Sequence, residues 1–333
     1  MLRRIKQRPG PGAVPRQPAP EGGMAIAYIS HFACTRHEMG AHHPEQPARL
    51  YAISDRLIAS GLEMVLHQYD APPATREQLL RVHDANYVDE VFAAAPVDGL
   101  AWLDGDTAMN PHTLDAALHA AGANVLAVDL VLTGKVDQAF CGVRPPGHHA
   151  ERGRAMGFCF FNNVAVGAAH ALAAHGLERV AIVDFDVHHG NGTEDIFGGD
   201  QRVLFCSSFQ HPFYPHSGYD SQAANVIDVP LPARTDGLAF REAVQTHWLP
   251  AIAAFRPQLI MISAGFDAHI EDDMAHLHLR EYDYAWVTRR LCELADEHCG
   301  GKLVSTLEGG YNLEALGRSV AVHIKAFMGD HHH

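Results

Sequence analysis

The sequence predicts an α/β protein in which a mainly parallel central sheet is flanked by helices on both faces, a three-layer sandwich. Three observations carry that reading. Apolar runs bounded by polar residues and glycines lie at roughly 138–143, 180–186, 202–207, 257–263 and 302–307, the pattern of strands buried on both faces. Ala/Leu-rich stretches with charges on one face alternate with these runs, an order that implies βαβ crossovers. Four of the runs end in polar, mostly Gly-marked turns rich in chemistry-bearing side chains, and parallel strands place their carboxyl ends along one edge.

Residues 1–23 carry Arg3, Arg4, Lys6, Arg8 and Arg16 among prolines and glycines. With no apolar core they read as neither secretory signal nor membrane span, and disorder is expected. Met24 opens the first strand-like run, Ala25–Ile29. Helical patterns follow at Pro47–Ser60, Pro111–Leu132, Asn162–His175, Leu238–Phe255, Glu281–His298 and Leu313–Phe327. At 333 residues and 47% hydrophobic, the chain has enough for one α/β domain or two small ones. No internal repeat or linker divides it, so 24–328 reads as a single domain. Residues 329–333 form a tail whose His331–His333 resembles a purification tag and is set aside from metal arguments.

The strand ends hold the chemistry. Gln138–His149 ends in the pair His148 and His149, and Val180–Asn191 carries Asp184, Asp186 and His188 at alternate positions. Residues i and i+2 of an extended chain share a side, so a carboxylate and an imidazole there reach one ion, a donor pair that suits zinc. Taken alone, Asp-x-His reads more readily as a solvated strand-end loop. Leu259–Asp267 ends in a carboxylate, and Lys302–Tyr311 ends in a tyrosine behind Gly309 and Gly310. Convergence on one edge would add a third ligand, two bases and a phenol to the same pocket.

The formal charge of −14 argues against a nucleic-acid ligand and is compatible with a cationic substrate. Six cysteines without C-x-x-C spacing read as reduced thiols of a cytoplasmic protein with no membrane partner.

The segments Pro145–His149, Gly157–Asn163, Asp184–Thr193, Ala264–His269 and Leu307–Asn312 together resemble the zinc-dependent histone deacetylase superfamily, over about His42 to Phe327. Leu307-Glu308-Gly309-Gly310-Tyr311 and Asn191 are similar to the class II, bacterial amidohydrolase and acetylpolyamine amidohydrolase branches. The resemblance implies an amidohydrolase acting on acetyl-lysine or acetylated polyamines. Asp186, His188 and Asp267 would hold one zinc, His148 and His149 would serve as base and acid, and Tyr311 as oxyanion donor. Asp184 would orient His148 and Asn191 would accept from His149, which leaves His149 neutral and suited to be the general base.

The same match implies a narrow tunnel walled by Phe158 and Tyr214, with Gly157, Gly309 and Gly310 allowing close approach. It further implies Asp106 and Met274 at the rim and Arg49 beside an acetate channel. Read alone, Asp106 is a helix cap, Met274 loop packing and Arg49 a helix-surface charge. A potassium ion is implied at Asp184, Asp186, His188, Ser207 and Ser208. A second would lie on backbone of Phe197, Asp200 and Val203, where Asn225 departs from the pattern. His31, His37, His42, His43, His211, His216, His269, His276 and His278 read as surface or rim residues. Two other classes fit the strand-end pattern: a dinuclear manganese ureohydrolase, disfavoured by the single Asp267 and by Tyr311, and a silent acyl-lysine binding module, which would lack that tyrosine. Polyamine-directed relatives tend to dimerise, so a homo-oligomer is a further expectation.

Overall fold

The structure, a computed structural model, describes residues 24–329; the expectations for 1–23 and for His331–His333 lie outside the described residues. The first third comprises β1 (Ile26–Ser30), α1 (Ala48–Ala59), β2 (His67–Asp70), α2 (Arg76–Leu80), α3 (Ala85–Ala94) and a hairpin of β3 (Ala101–Trp102) and β4 (Ala108–Met109). Then come α4 (Thr113–Leu132), β5 (Gln138–Cys141), α5 (Asn163–Ala174), β6 (Val180–Asp184), α6 (Asn191–Phe197), β7 (Val203–Gln210) and β8 (Val226–Leu231). The last part holds α7 (Gly237–Ala243), α8 (Leu249–Phe255), β9 (Leu259–Ala264), α9 (Glu281–Cys299), β10 (Leu303–Leu307) and α10 (Leu313–Phe327).

Eight strands pair in parallel in the order β2-β1-β5-β10-β9-β6-β7-β8. The two latest strands, β9 and β10, fill the gap between β5 and β6. The four strands whose ends carry the candidate chemistry are therefore contiguous at the sheet centre, β5-β10-β9-β6. Every residue of these four is buried, because helices cover both faces, and so their sequences read as unbroken apolar runs. The edge strands β2 and β8 are only partly buried. Their mixed sequences, HQYD and VIDVPL, carry no such run, and for that reason neither is predicted.

Local chemistry starts the helices that frame the site. Asn162 caps α5 by accepting from Ala165 N, and Asn312 caps α10 by accepting from Ala315 N. Asn162 Nδ2 also donates to Ala150 O at 3.2 Å, tying the cap to the loop after β5. The helix predicted at Leu238–Phe255 is instead α7 and α8 separated by a π-helical turn, Val244–Trp248. Pro250, in the first turn of α8, has no N–H to give the carbonyl four residues back, which accounts for the local widening. Helix α4 is long and apolar enough to cross a membrane, yet two-thirds of it is buried inside the fold, against α5 and the sheet.

Candidate active site

Just beyond β6 and β9, three ligand atoms meet. His188 Nδ1 lies 3.0 Å from Asp186 Oδ1 and 3.2 Å from Asp267 Oδ2. Backbone donors fix both carboxylates: Asp186 Oδ2 accepts from Gly309 N at 2.8 Å and its Oδ1 from His188 N at 2.9 Å, and Asp267 Oδ1 accepts from Val187 N at 2.9 Å. Those bonds turn Asp186 Oδ1 and Asp267 Oδ2 toward the imidazole, and Asp267 Oδ2 is buried with no hydrogen-bond partner. Glycines make the approach possible. A Cβ on Gly265 would come within 2.0 Å of Asp186 Oδ2, and one on Gly309 within 2.2 Å of Asp267 Oδ2.

Burial alone would lower the His188 pKa, but the Asp186 and Asp267 carboxylates beside it prevail and hold it up at about 10. Burial, followed by the charge of Asp186, raises Asp267 to about 6. Positive charge is thus wanted at this point, and one nitrogen plus two carboxylate oxygens is a donor set that a divalent ion satisfies, leaving the assembly close to neutral.

The paired histidines of the loop after β5 lie beside this cluster, with ring centroids 4.0 Å apart. His148 Nδ1 lies 2.8 Å from Asp184 Oδ2, and His148 Nε2 lies 3.7 Å from Asp186 Oδ1. Burial disfavours its cation, yet Asp184 and Asp186 outweigh burial and raise its pKa well above the ordinary value. His149 is the opposite case: burial and then the charges of His148 and His188 push its pKa well below. Asn191 Nδ2 donates to Glu151 Oε1 at 2.8 Å, which turns Asn191 Oδ1 toward His149 Nδ1 at 2.7 Å. His149 therefore carries its proton on Nδ1 and keeps a lone pair on Nε2.

Tyr311 follows β10. Its N–H donates to Asp272 Oδ2 at 2.7 Å, and the Arg49 guanidinium carbon stands 4.8 Å above its ring. Burial raises the phenol pKa well above the ordinary value, so the hydroxyl remains a donor. Arg49 is fully buried, not on the helix surface. It donates to Gly310 O and Glu308 O, both at 2.6 Å, and to Glu45 Oε2 at 2.8 Å.

Two metal-ready carboxylates with one imidazole, two histidines of opposite charge preference and a protonated phenol form a hydrolytic arrangement. The histone deacetylase domain profile matches residues 43–327. The chain belongs to the histone deacetylase family. It is 39% identical to the histone deacetylase-like amidohydrolase of Pseudomonas aeruginosa over 279 residues, 82% of this chain and 73% of that one. To the polyamine deacetylase HDAC10 of Homo sapiens it is 38% identical over 327 residues, 92% of this chain but 48% of that longer one. The crystal structure of the HDA15 HD domain superposes with a TM-score of 0.87 at 35% identity, covering 92% and 89% of the two chains. The eight-stranded parallel sheet is that of the deacetylase fold, and the protein is a hydrolase of the deacetylase and amidohydrolase type.

Within this deacetylase the remaining predicted residues fall in three places. Phe158 holds φ at 70°, a left-handed conformation unusual for an aromatic residue, and its ring meets Tyr311 at 6.1 Å and His43 at 4.6 Å. Tyr214 faces His149 at 5.4 Å and His188 at 6.0 Å. A Cβ on Gly157 would strike the His149 ring at 2.4 Å. Asp106 caps no helix; its Oδ1 accepts from Gly157 N at 3.1 Å and Thr107 Oγ1 at 2.8 Å, which fastens the β3–β4 hairpin to this wall. Met274 N–H donates to Asp272 Oδ1 at 2.9 Å, next to the Tyr311 loop.

On the other side of the cluster, Asp184 pairs in register with Ser207 of β7, and Ser207 and Ser208 are both buried. The backbone carbonyls of Phe197, Asp200 and Val203 do converge, but on a side chain: Asn225 Nδ2 donates to them at 2.8, 3.0 and 2.8 Å. An amide occupies the position considered for a second cation. Two histidines assigned to the surface are buried, His37 and His269.

Sequence reasoning missed a set of buried supports. Glu308 Oε2 accepts from Gly147 N at 2.7 Å and His148 N at 3.1 Å, and its Oε1 from Ser263 Oγ at 2.9 Å. Glu45 takes Arg49 and Arg144 on one oxygen, at 2.8 and 2.6 Å. Asp272 holds the Tyr311 turn. A charged residue embedded among glycines, as Glu308 is, was the available signal.

Proposed function

We propose that this deacetylase is a zinc-dependent amidohydrolase that cleaves the acyl amide of acyl-lysine side chains or acetylated polyamines. The observation that supports it best is the convergence of Asp186, His188 and Asp267 beside two histidines whose partners differ, Asp184 for His148 and Asn191 for His149. When bound by those three residues, zinc supplies Lewis-acid polarisation of the amide carbonyl and acidifies water. The protein's own groups do the rest. Neutral His149, its Nδ1–H held by Asn191, takes a proton from water at Nε2. His148, kept cationic by Asp184, gives a proton to the departing amine. The Tyr311 hydroxyl donates to the oxygen on which charge develops. Phe158 and Tyr214 wall a slot for an unbranched methylene chain, with Asp106 and Met274 at its mouth and Gly309 and Gly310 lining the floor. Arg49 borders the path for the released acid, and a potassium ion at Asp184, Asp186, His188, Ser207 and Ser208 stiffens the ligand loop.

A panel of acetyl-lysine peptides, acetylated polyamines and longer acyl-lysines, incubated with zinc-loaded enzyme, tests the reading by appearance of free amine. Turnover of at least one class is expected. Release of urea from a guanidino substrate by protein holding two manganese ions, with no amide cleaved, would overturn it.

A further inference from the structure

Outside the catalytic cluster, two more sets of histidine and carboxylate atoms converge among the described residues: Asp129 with His170 and His175, and His189 with Glu194 and Asp228. Hydrogen bonds close the first. His170 and His175 both direct Nε2 at Asp129 Oδ1, each at 2.7 Å, and Arg81 donates to His170 Nδ1 at 3.1 Å. A guanidinium only donates, so His170 carries its proton on Nε2, where a metal would need the lone pair.

The second set shares the carboxylate contact at Nε2 but differs at the other ring nitrogen. His189 points away from its neighbour His188 and is 1% exposed. Its Nδ1 lies 2.7 Å from Ser217 Oγ, a hydroxyl able to accept from Nδ1–H, so a metal can take the lone pair of Nε2. Nε2 faces carboxylates from two elements: Glu194 Oε2 of α6 at 2.9 Å and Asp228 Oδ1 of β8 at 3.2 Å. His188 Nδ1 keeps nearly the same distances, 3.0 and 3.2 Å, to Asp186 and Asp267. A tetrahedral ion with bonds of about 2.0–2.1 Å separates its ligands by about 3.3 Å. The Asp228 side chain is 8% exposed, and its Oδ2 is buried without a hydrogen-bond partner. Buried carboxylate oxygens in that state are costly unless a cation meets them.

We propose that His189, Glu194 and Asp228 form a second, structural site for a divalent first-row metal ion, with one nitrogen and two oxygen donors. Glu194, 21% exposed, leaves an opening toward solvent for a water ligand. An ion there joins α6 and β8 and, through Ser217, reaches the loop that carries Tyr214. The site is independent of the reaction assigned above.

Cobalt tests it. The full chain is stripped with chelator, titrated with cobalt and desalted, and bound metal is counted by mass spectrometry alongside the visible cobalt spectrum. Wild type should retain one equivalent more than Glu194→Gln or Asp228→Asn, and comparison of variants cancels any ion held by His331–His333. Asp267→Asn, impaired at the first cluster, should still bind one equivalent and melt higher with cobalt than without. Equal cobalt in wild type and both site variants, or none bound by Asp267→Asn, would overturn the proposal.

Discussion

At the scale of single residues, the proposed mechanism divides acid from base between His148 and His149 by their partners. Asp184 contributes charge to His148, whereas Asn191 contributes only orientation to His149. A carboxylate at 191 would favour the His149 cation and so raise its pKa. Since the base acts in its neutral form, Asn191→Asp should move the acidic limb of the kcat/KM profile to higher pH; a superimposable profile would contradict the assignment. Tyr311→Phe removes a donor without touching the ligand atoms. It should lower kcat by about 100- to 1,000-fold, in line with loss of one oxyanion-hole donor, while bound metal is unchanged. The positions were legible because each reactive side chain follows an apolar run, and the roles because the motifs resemble those of the deacetylase family. Glu45, Asp272 and Arg144 were not legible, because they act on atoms far away in sequence: Arg144 bonds Cys34 O and His37 O across 110 and 107 residues.

At the scale of elements, insertion of β9 and β10 between β5 and β6 brings four strand ends together. The central strands could be read from hydrophobicity alone, since burial on both faces leaves no polar alternation. The edge strands β2 and β8 could not, and Asp228 on β8 is polar because it faces His189. Glu308 ties two elements, holding the loop after β5 by Gly147 N and His148 N from the end of β10. Glu308→Ala leaves two buried N–H groups unpaired at about 1–3 kcal/mol each. Thermal melting should fall by several degrees, and kcat should drop more than KM rises because His148 is displaced. Unchanged melting and kcat would show that the loop is held by other contacts.

At the scale of the whole molecule, the proposed metal site couples to the fold through protons. In metal-free protein His188 is raised to about 10 from 6.5, so its contribution to stability is complete below pH 6.5 and is lost as pH rises toward 10. A bound ion needs that nitrogen and Asp267 deprotonated, so binding expels protons and strengthens with pH by up to about 1.4 kcal/mol per unit per proton. The rise in melting temperature on adding zinc should therefore be larger at pH 8.5 than at pH 6; an equal or reversed difference would contradict the coupling. The measurement closest to the central claim is amide hydrolysis by metal-free enzyme, wild type and Asp267→Asn, as zinc is added back. The account predicts no turnover before zinc, recovery in wild type and no recovery in Asp267→Asn. Full amide cleavage by the metal-free enzyme, or by Asp267→Asn at wild-type rate, would contradict it.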